Sequence, residues 1–458
     1  MQGFRSEFTS LVRLAAPIIL AQLSQMGMGV ADAVMAGRVS AADLAGVTLG
    51  GNLYWPTMML VSGVIMAVTP TVSQLHGGGR AEQAGEVVRQ AIWIALAGGL
   101  VLAVLLNNVA PFYDWVGVDE RAIPIAVAYL HALSFSVTQL LVFFALRYLC
   151  EGMSWTKPAM LIAMGALVLK IFLNDVFIHG GQLGPFDVPA MGGVGCGWAS
   201  AVVINMQLVC MALVVLAPRV RVAGLYAKLS APDPGHIWRL VKLGVPIGLS
   251  TSLEMALFSV VTLMIGIIGV EAVAAHQIAM NVGGLMFMVP LALGMGAAIR
   301  VGFHVGADDH PGAARSAWVA VITAGLFSAF AAGIVLLGRD AIAGLYTNEL
   351  EVQELAAGLM LFVAFFQLFD ATQTAAIGAL RGYKDTRTPA VVAIVAYWLA
   401  GFPVAAALGS GALGIEAMGL NGFWTGLTLG LAIAAFVLLS RLRWLSRQPA
   451  RIRQLASH

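Results

Sequence analysis

The sequence is short of charge. It carries 25 Lys and Arg and 23 Asp and Glu in 458 residues, or 10%, where a soluble globular chain carries about 25%. An aqueous surface needs charge at a density this chain cannot supply, whereas a lipid-facing surface needs none. An ordinary soluble enzyme is excluded. Cysteine is scarce too: Cys150, Cys196 and Cys210 are an odd count without metal-ligand spacing and read as small apolar residues within helices. There is no Gly-x4-Gly-Lys-Ser/Thr phosphate loop, no HExxH pair and no Cys-x-x-Cys pair. The run Gly77–Gly79 reads as a loop. ATP hydrolysis is therefore set aside, no cofactor is expected, and uphill movement of any cargo must draw on an ion gradient or a partner. No small-residue cleavage site follows the first apolar run, so no removable signal peptide is expected. The net charge of +2 gives no reason to expect a nucleic-acid partner.

Apolar residues are what the chain has in excess, at 60%. With about 20 residues needed per crossing, they predict an all-α transmembrane protein of twelve helices, from a span near 11–36 to one near 414–439. A polar connector over 218–236, with Pro218, Pro232 and Pro234, divides a six-helix lobe at 1–217 from a second at 237–440. A basic tail, 441–458, follows. Placing the N-terminus inside puts 21 of the 25 basic residues on the cytoplasmic side. Arg38, Arg121 and Arg339 fall outside, and Lys170 lies within a span. Basic loops are retained in the cytoplasm, so the linker, the tail and both termini are predicted to be cytoplasmic. Because one chain holds both halves, a monomer in the lipid bilayer is the expectation.

The halves repeat. Leu11-Val-Arg-Leu-Ala-Ala-Pro17 aligns with Leu240-Val-Lys-Leu-Gly-Val-Pro246 at an offset of 229, which also carries Gly77 onto Gly306; Gly152 and Pro158 answer Gly382 and Pro389, and Gly193 with Trp198 answers Gly419 with Trp424. An even number of spans per half makes the repeats parallel, with a transport pathway expected between them.

Four ionisable residues sit deep in apolar spans, where each costs several kcal/mol unless paired, hydrated or facing a cavity: Asp32, Lys170, Glu254 and Asp370. Glu254 and Asp370 belong to one half, and no Lys or Arg of that half is placed deep within the membrane to neutralise them. Two such carboxylates bind a cation, Na+ or H+, because burial and mutual repulsion disfavour a doubly charged pair. Gln277 would add amide groups. Phe365, Phe366 and Phe369 beside Asp370 are either lipid-facing bulk or a ring face that favours organic cations. In the first half Lys170 and Asn174, four residues apart, share a helical face, and Lys170 is expected to pair with Asp32. Asp175, His179 and His131 are expected to be hydrated or simply packed.

The segment Glu271-Ala-Val-Ala-Ala-His-Gln-Ile-Ala-Met-Asn281, continuing through Phe287-Met-Val-Pro290 to Ile299-Arg-Val-Gly302, resembles the eighth span of the multidrug and toxic compound extrusion (MATE) family in its NorM-type bacterial branch. Asp32-Ala-Val-Met-Ala-Gly37, Gly192-Gly-Val-Gly-Cys-Gly-Trp198 and Leu380-Arg-Gly-Tyr-Lys-Asp-Thr386 resemble other stretches of that family. The resemblance implies a V-shaped pair of six-helix bundles in the bacterial inner membrane. It also implies export of amphipathic, often cationic, organic compounds in exchange for Na+ or H+, without enzymatic activity. It places Glu254 and Asp370 on the cation-coupling carboxylates of the second lobe, where Na+ would bind, Gln277 on a polar cavity position, and Asp32 with Asn174 on the polar site of the first lobe; Asp32 is thus a third cation-coupling candidate, and Asn174, Gln277, Phe366 and Lys170 are the expected substrate or cavity residues. Lys170 departs from the family pattern, where Asn is common, and Phe366 replaces a Tyr one turn before the carboxylate. The rival readings are a lipid-linked saccharide flippase, which would favour basic cavity residues, and a channel or non-transporting membrane protein.

Overall fold

The structure is a computed structural model, and it describes residues 2–116, 121–183, 186–411 and 416–456. The first two residues of the twelfth predicted span, 414 and 415, and the last two of the predicted tail lie outside the described residues. Long apolar runs become helices because a backbone in lipid has no other way to satisfy its polar groups. In the first half these are α1 (Gln2–Val39), α2 (Ala41–Ile65), α3 (Val68–Gly77), α4 (Ala84–Asn107), α5 (Ala110–Val116), α6 (Ile123–Ser134), α7 (Val137–Gly152), α8 (Lys157–His179) and α9 (Val194–Val214). A short antiparallel pair, β1 (Gly181–Leu183) and β2 (Phe186–Val188), joins α8 to α9. After the short α10 (Pro218–Arg221), the second half has α11 (Pro234–Gly266), α12 (Val270–Gly306), α13 (His310–Tyr346), α14 (Leu350–Gly382), α15 (Arg387–Val392), a π-helical stretch (Ala393–Gly401), α16 (Phe402–Ser410), α17 (Leu420–Leu445) and α18 (Pro449–Ala456).

Among the described residues eleven helices are long and apolar enough to cross a membrane; α6 and α7, bent by 49° at Phe135–Ser136, make a twelfth crossing if they form one broken span. The twelve predicted crossings and these helices coincide in order. The repeat recurs in backbone conformation. Gly79 and Asp308, an offset of 229 apart, both have left-handed φ, +70° and +56°, and Ser154 and Lys384 share +57° and +61°. Left-handed backbone is uncommon outside glycine. Its return at equivalent turns supports duplication independently of residue identity.

The chain forms two compact units, Pro17–Gly248 and Leu249–His458 with Met1–Ala16. Both α1 and α11 are thus shared between units, each divided near the proline, Pro17 or Pro246, that the repeat places in register.

In the second unit, Met1–Ala16 is held by Glu7, which is 7% exposed. Arg300 donates to both of its carboxylate oxygens, from Nη2 at 2.6 Å and from Nε at 3.2 Å, and Ser316 Oγ donates at 2.8 Å. His304 lies between Glu7, at 3.1 Å, and Asp309, at 2.9 Å. The helix α18 docks by Ile452, which is buried, and by Arg453, which bonds both oxygens of Asp308 at 3.0 and 2.9 Å. Those bonds hold the Asp308 carboxyl below its ordinary value. The backbones of α12 and α14 meet where Gly378 lies on the Gly294 carbonyl, so closely that a Cβ at 378 would collide with it. Small residues permit this approach, the usual device for packing helices in lipid. Gly378→Ala is therefore expected to lower stability by about 1–3 kcal/mol, read as a reduced melting temperature of the purified protein in detergent.

In the first unit, the connector Ala223–Asp233 is fastened to α4. Arg89 donates from Nη1 to the carbonyls of Gly224 and Leu225 at 2.8 and 2.9 Å and from Nη2 to Glu86 at 2.7 Å, and Lys228 lies 3.3 Å from Glu86. The predicted linker is thus an ordered strap on its own unit.

Candidate functional site

The second unit builds one polar cluster from three helices. Glu254 stands on α11, Asp370 and Gln373 on α14, and Tyr397 in the π-helical stretch. Asp370 and Gln373 are three residues apart, so they share a helical face. Gln373 Nε2 donates to Glu254 Oε1 and to Asp370 Oδ1, both at 3.2 Å. The Tyr397 hydroxyl donates to Gln373 Oε1 at 2.8 Å and lies 3.4 Å from Glu254 Oε1. Asp370, Gln373 and Tyr397 are 6%, 0% and 3% exposed, while Glu254 is half-buried. One neutral amide thus bridges two carboxylates. It orients their oxygens without cancelling their charge, which leaves the pair suited to a cation or a proton. The predicted isolation of this pair is modified at one point. Arg381 lies on α14 itself, close to Thr251 on α11 (Nη2 to Oγ1, 3.5 Å), and its charge acts on Glu254.

Two of the predicted companions lie outside this hydrogen-bonded cluster. Gln277 is exposed on α12, and its neighbour His276 takes the inward position, with Nε2 2.9 Å from Thr262 Oγ1. Phe366 is 6% exposed and packs between Phe258 and Trp424, with ring centroids 5.9 and 5.7 Å away, while His276 meets Trp424 edge-on at 5.7 Å. It belongs to an aromatic cluster one turn from Asp370. Phe365 and Phe369 are exposed. Gln373 and Tyr397, which the sequence alone does not single out, complete the site. Position 366 offers no hydroxyl, and the hydroxyl within reach of Gln373 and Glu254 belongs to Tyr397.

The first unit pairs the remaining charges. Lys170 Nζ lies 2.9 Å from Asp32 Oδ1 and donates to the Cys196 carbonyl at 2.7 Å and to Ser200 Oγ. Asn174 Nδ2 donates to the same Asp32 oxygen at 2.8 Å. The pairing predicted from opposite charges is present, with Lys170 1% and Asp32 7% exposed. Beside it opens a cavity of about 270 Å³ whose lining includes Gln25, Asn52, Tyr54, Leu140 and Gln207. Asp175 and His179 are exposed and pair with each other, consistent with hydration. Cys150, Cys196 and Cys210 are free thiols.

Comparison with known proteins decides the family. The MatE family profile matches residues 17–176 and again 246–407. The chain belongs to the MatE family. The two matches begin 229 residues apart, at Pro17 and Pro246, the offset of the internal repeat. Over 461 aligned residues, covering all of both chains, the sequence is 41% identical to the multidrug resistance protein MdtK of Yersinia pseudotuberculosis, and 40% identical to that of Yersinia enterocolitica. Among solved structures it is similar to the eukaryotic MATE transporter AtDTX14 (TM-score 0.87, 20% identity, 99% of this chain and 100% of that one). It is also similar to the Vibrio cholerae MATE transporter VcmN in the bent form (TM-score 0.86, 17% identity, 99% and 100%). MatE membership places the chain among membrane transporters rather than enzymes, and the structural matches share its helical fold.

Proposed function

We propose that this MatE protein is a secondary multidrug efflux transporter of a bacterial inner membrane, with both termini cytoplasmic. It exports amphipathic, often cationic, organic compounds by alternating access in exchange for Na+ or H+. The observation that carries the reading is the Glu254–Gln373–Asp370 bridge: two carboxylates on apolar helices, joined by an uncharged amide, in a chain 41% identical to a multidrug resistance protein over its whole length. A cation taken up there offsets the repulsion within the pair and changes which arrangement of α11, α14 and Tyr397 is favoured. A cationic drug and the coupling ion would weaken each other's binding, and that reciprocal coupling is what exchange requires.

The test is the purified protein in sealed liposomes, with Na+ and pH gradients imposed separately and a fluorescent organic cation such as ethidium followed. Uphill movement under at least one gradient is the expected result, and the gradient that drives it identifies the coupling ion. Absence of uphill movement under both would overturn the proposal.

A further inference from the structure

The two units treat charge differently at equivalent places. At the repeat offset of 229, Glu254 corresponds to Gln25, and at the offset of 230 that joins Gly152 to Gly382, Asp370 corresponds to Leu140. Gln25 and Leu140 both line the first-unit cavity. That cavity therefore has an amide and a methyl-bearing side chain where the second unit has its two acids. Its one carboxylate, Asp32, sits elsewhere on α1 and is already matched by the Lys170 ammonium at 2.9 Å. Lys170 is fixed in that position. Its three N–H donors are taken up by Asp32, the Cys196 carbonyl and Ser200 Oγ, and its stem is buried. The remaining polar groups of the cavity are neutral.

We propose that Lys170 is a specificity-determining residue whose ammonium stands at Asp32 in the place of an external cation, so that the first-unit cavity takes uncharged organic molecules and turns organic cations away. The inference rests on the transport reading above, with cation coupling left to Glu254 and Asp370. Replacing Lys170 with Asn removes the tethered charge and leaves Asp32 to attract a soluble one.

The experiment uses the full-length protein in nanodiscs with Glu254→Gln and Asp370→Asn already introduced, so that its outcome does not depend on the coupling site. Binding of phenyltrimethylammonium is compared with that of its uncharged isostere tert-butylbenzene at neutral pH. Lys170→Asn is expected to tighten binding of the cation at least about tenfold and to leave the isostere within about twofold, and adding Asp32→Asn should return the cation to its starting affinity. Unchanged or weaker cation binding by a folded Lys170→Asn protein would overturn the proposal. A second variant guards against misfolding of the first. Asp32→Asn alone leaves the ammonium without its counter-ion, and at mildly acidic pH it is expected to gain at least about tenfold in affinity for benzenesulfonate. No gain there would also overturn it.

Discussion

Replacing Asp370 with Asn, or Glu254 with Gln, is expected to lower gradient-driven efflux at least about 100-fold while leaving the protein folded. A unit charge about 4 Å from a carboxylate in a partly buried site gains about 4 kcal/mol at an effective dielectric constant near 20. About 2.7 kcal/mol corresponds to a hundredfold change in occupancy, so the loss of one carboxylate suffices to empty the site at ordinary ion concentrations. Folding should survive because the substitutions are isosteric and remove a repulsion. The amide oxygen of either replacement can still accept from Gln373 Nε2, which reaches both wild-type side chains at 3.2 Å. Gln373→Leu makes a useful contrast. It keeps both charges but removes the bridge and the acceptor of the Tyr397 hydroxyl, and a smaller loss, about tenfold, is expected, seen as weaker dependence on the coupling ion. The check is ethidium efflux in everted vesicles at matched expression, with melting curves of each purified variant. Full efflux by both Asp370→Asn and Glu254→Gln would remove these residues from the mechanism.

Most of the architecture was legible because lipid reduces it to one question, where the long apolar runs lie, and sequence answers that directly. The repeat was legible from Pro17 and Pro246, which mark both the family matches and the division into units. The pairing of Asp32 with Lys170 was legible because opposite charges buried in neighbouring spans have few other ways to be tolerated. Helical phase was less so. Gln277 is one residue from His276, and one residue rotates a side chain by about 100°, enough to bury the imidazole while the amide is exposed. Gln373 could have been found, since it stands three residues from Asp370 on the same face. Tyr397 could not, because its direction depends on the π-helical stretch Ala393–Gly401, which shifts the phase of the helix without changing its apolar pattern. Arg381 is one of the 21 basic residues placed on the cytoplasmic side, because it follows the tenth apolar run. With 33 residues, α14 is about 50 Å long, well beyond a hydrocarbon core of about 30 Å, so its last turns remain helical and bring Arg381 back beside α11.

The largest expected effect on stability falls at the position that the repeat pairs with Arg381. Glu151, one residue before Gly152 as Arg381 is one before Gly382, is 1% exposed and bonded to Arg147 Nε at 2.6 Å within α7. Arg147 is itself 5% exposed, and its Nη2 is buried without a hydrogen-bond partner. The pair is therefore already short of acceptors, and Glu151→Ala would leave the buried guanidinium without its counter-ion. Breaking a buried pair from one side costs about 3–5 kcal/mol, far more than an exposed pair such as Arg339–Asp340, separated by 3.8 Å with side chains 42% and 82% exposed, where about 0–1 kcal/mol is at stake. Replacing both partners with apolar residues, Arg147→Met with Glu151→Leu, removes the desolvation cost with the attraction, and is expected to return stability to within about 1–2 kcal/mol of the parent. Denaturant unfolding in mixed micelles separates the cases. The decisive comparison is the single Glu151→Ala variant against the double apolar variant, because a pair that merely fills space would make the two equally costly, whereas a stranded charge makes the single change much the worse.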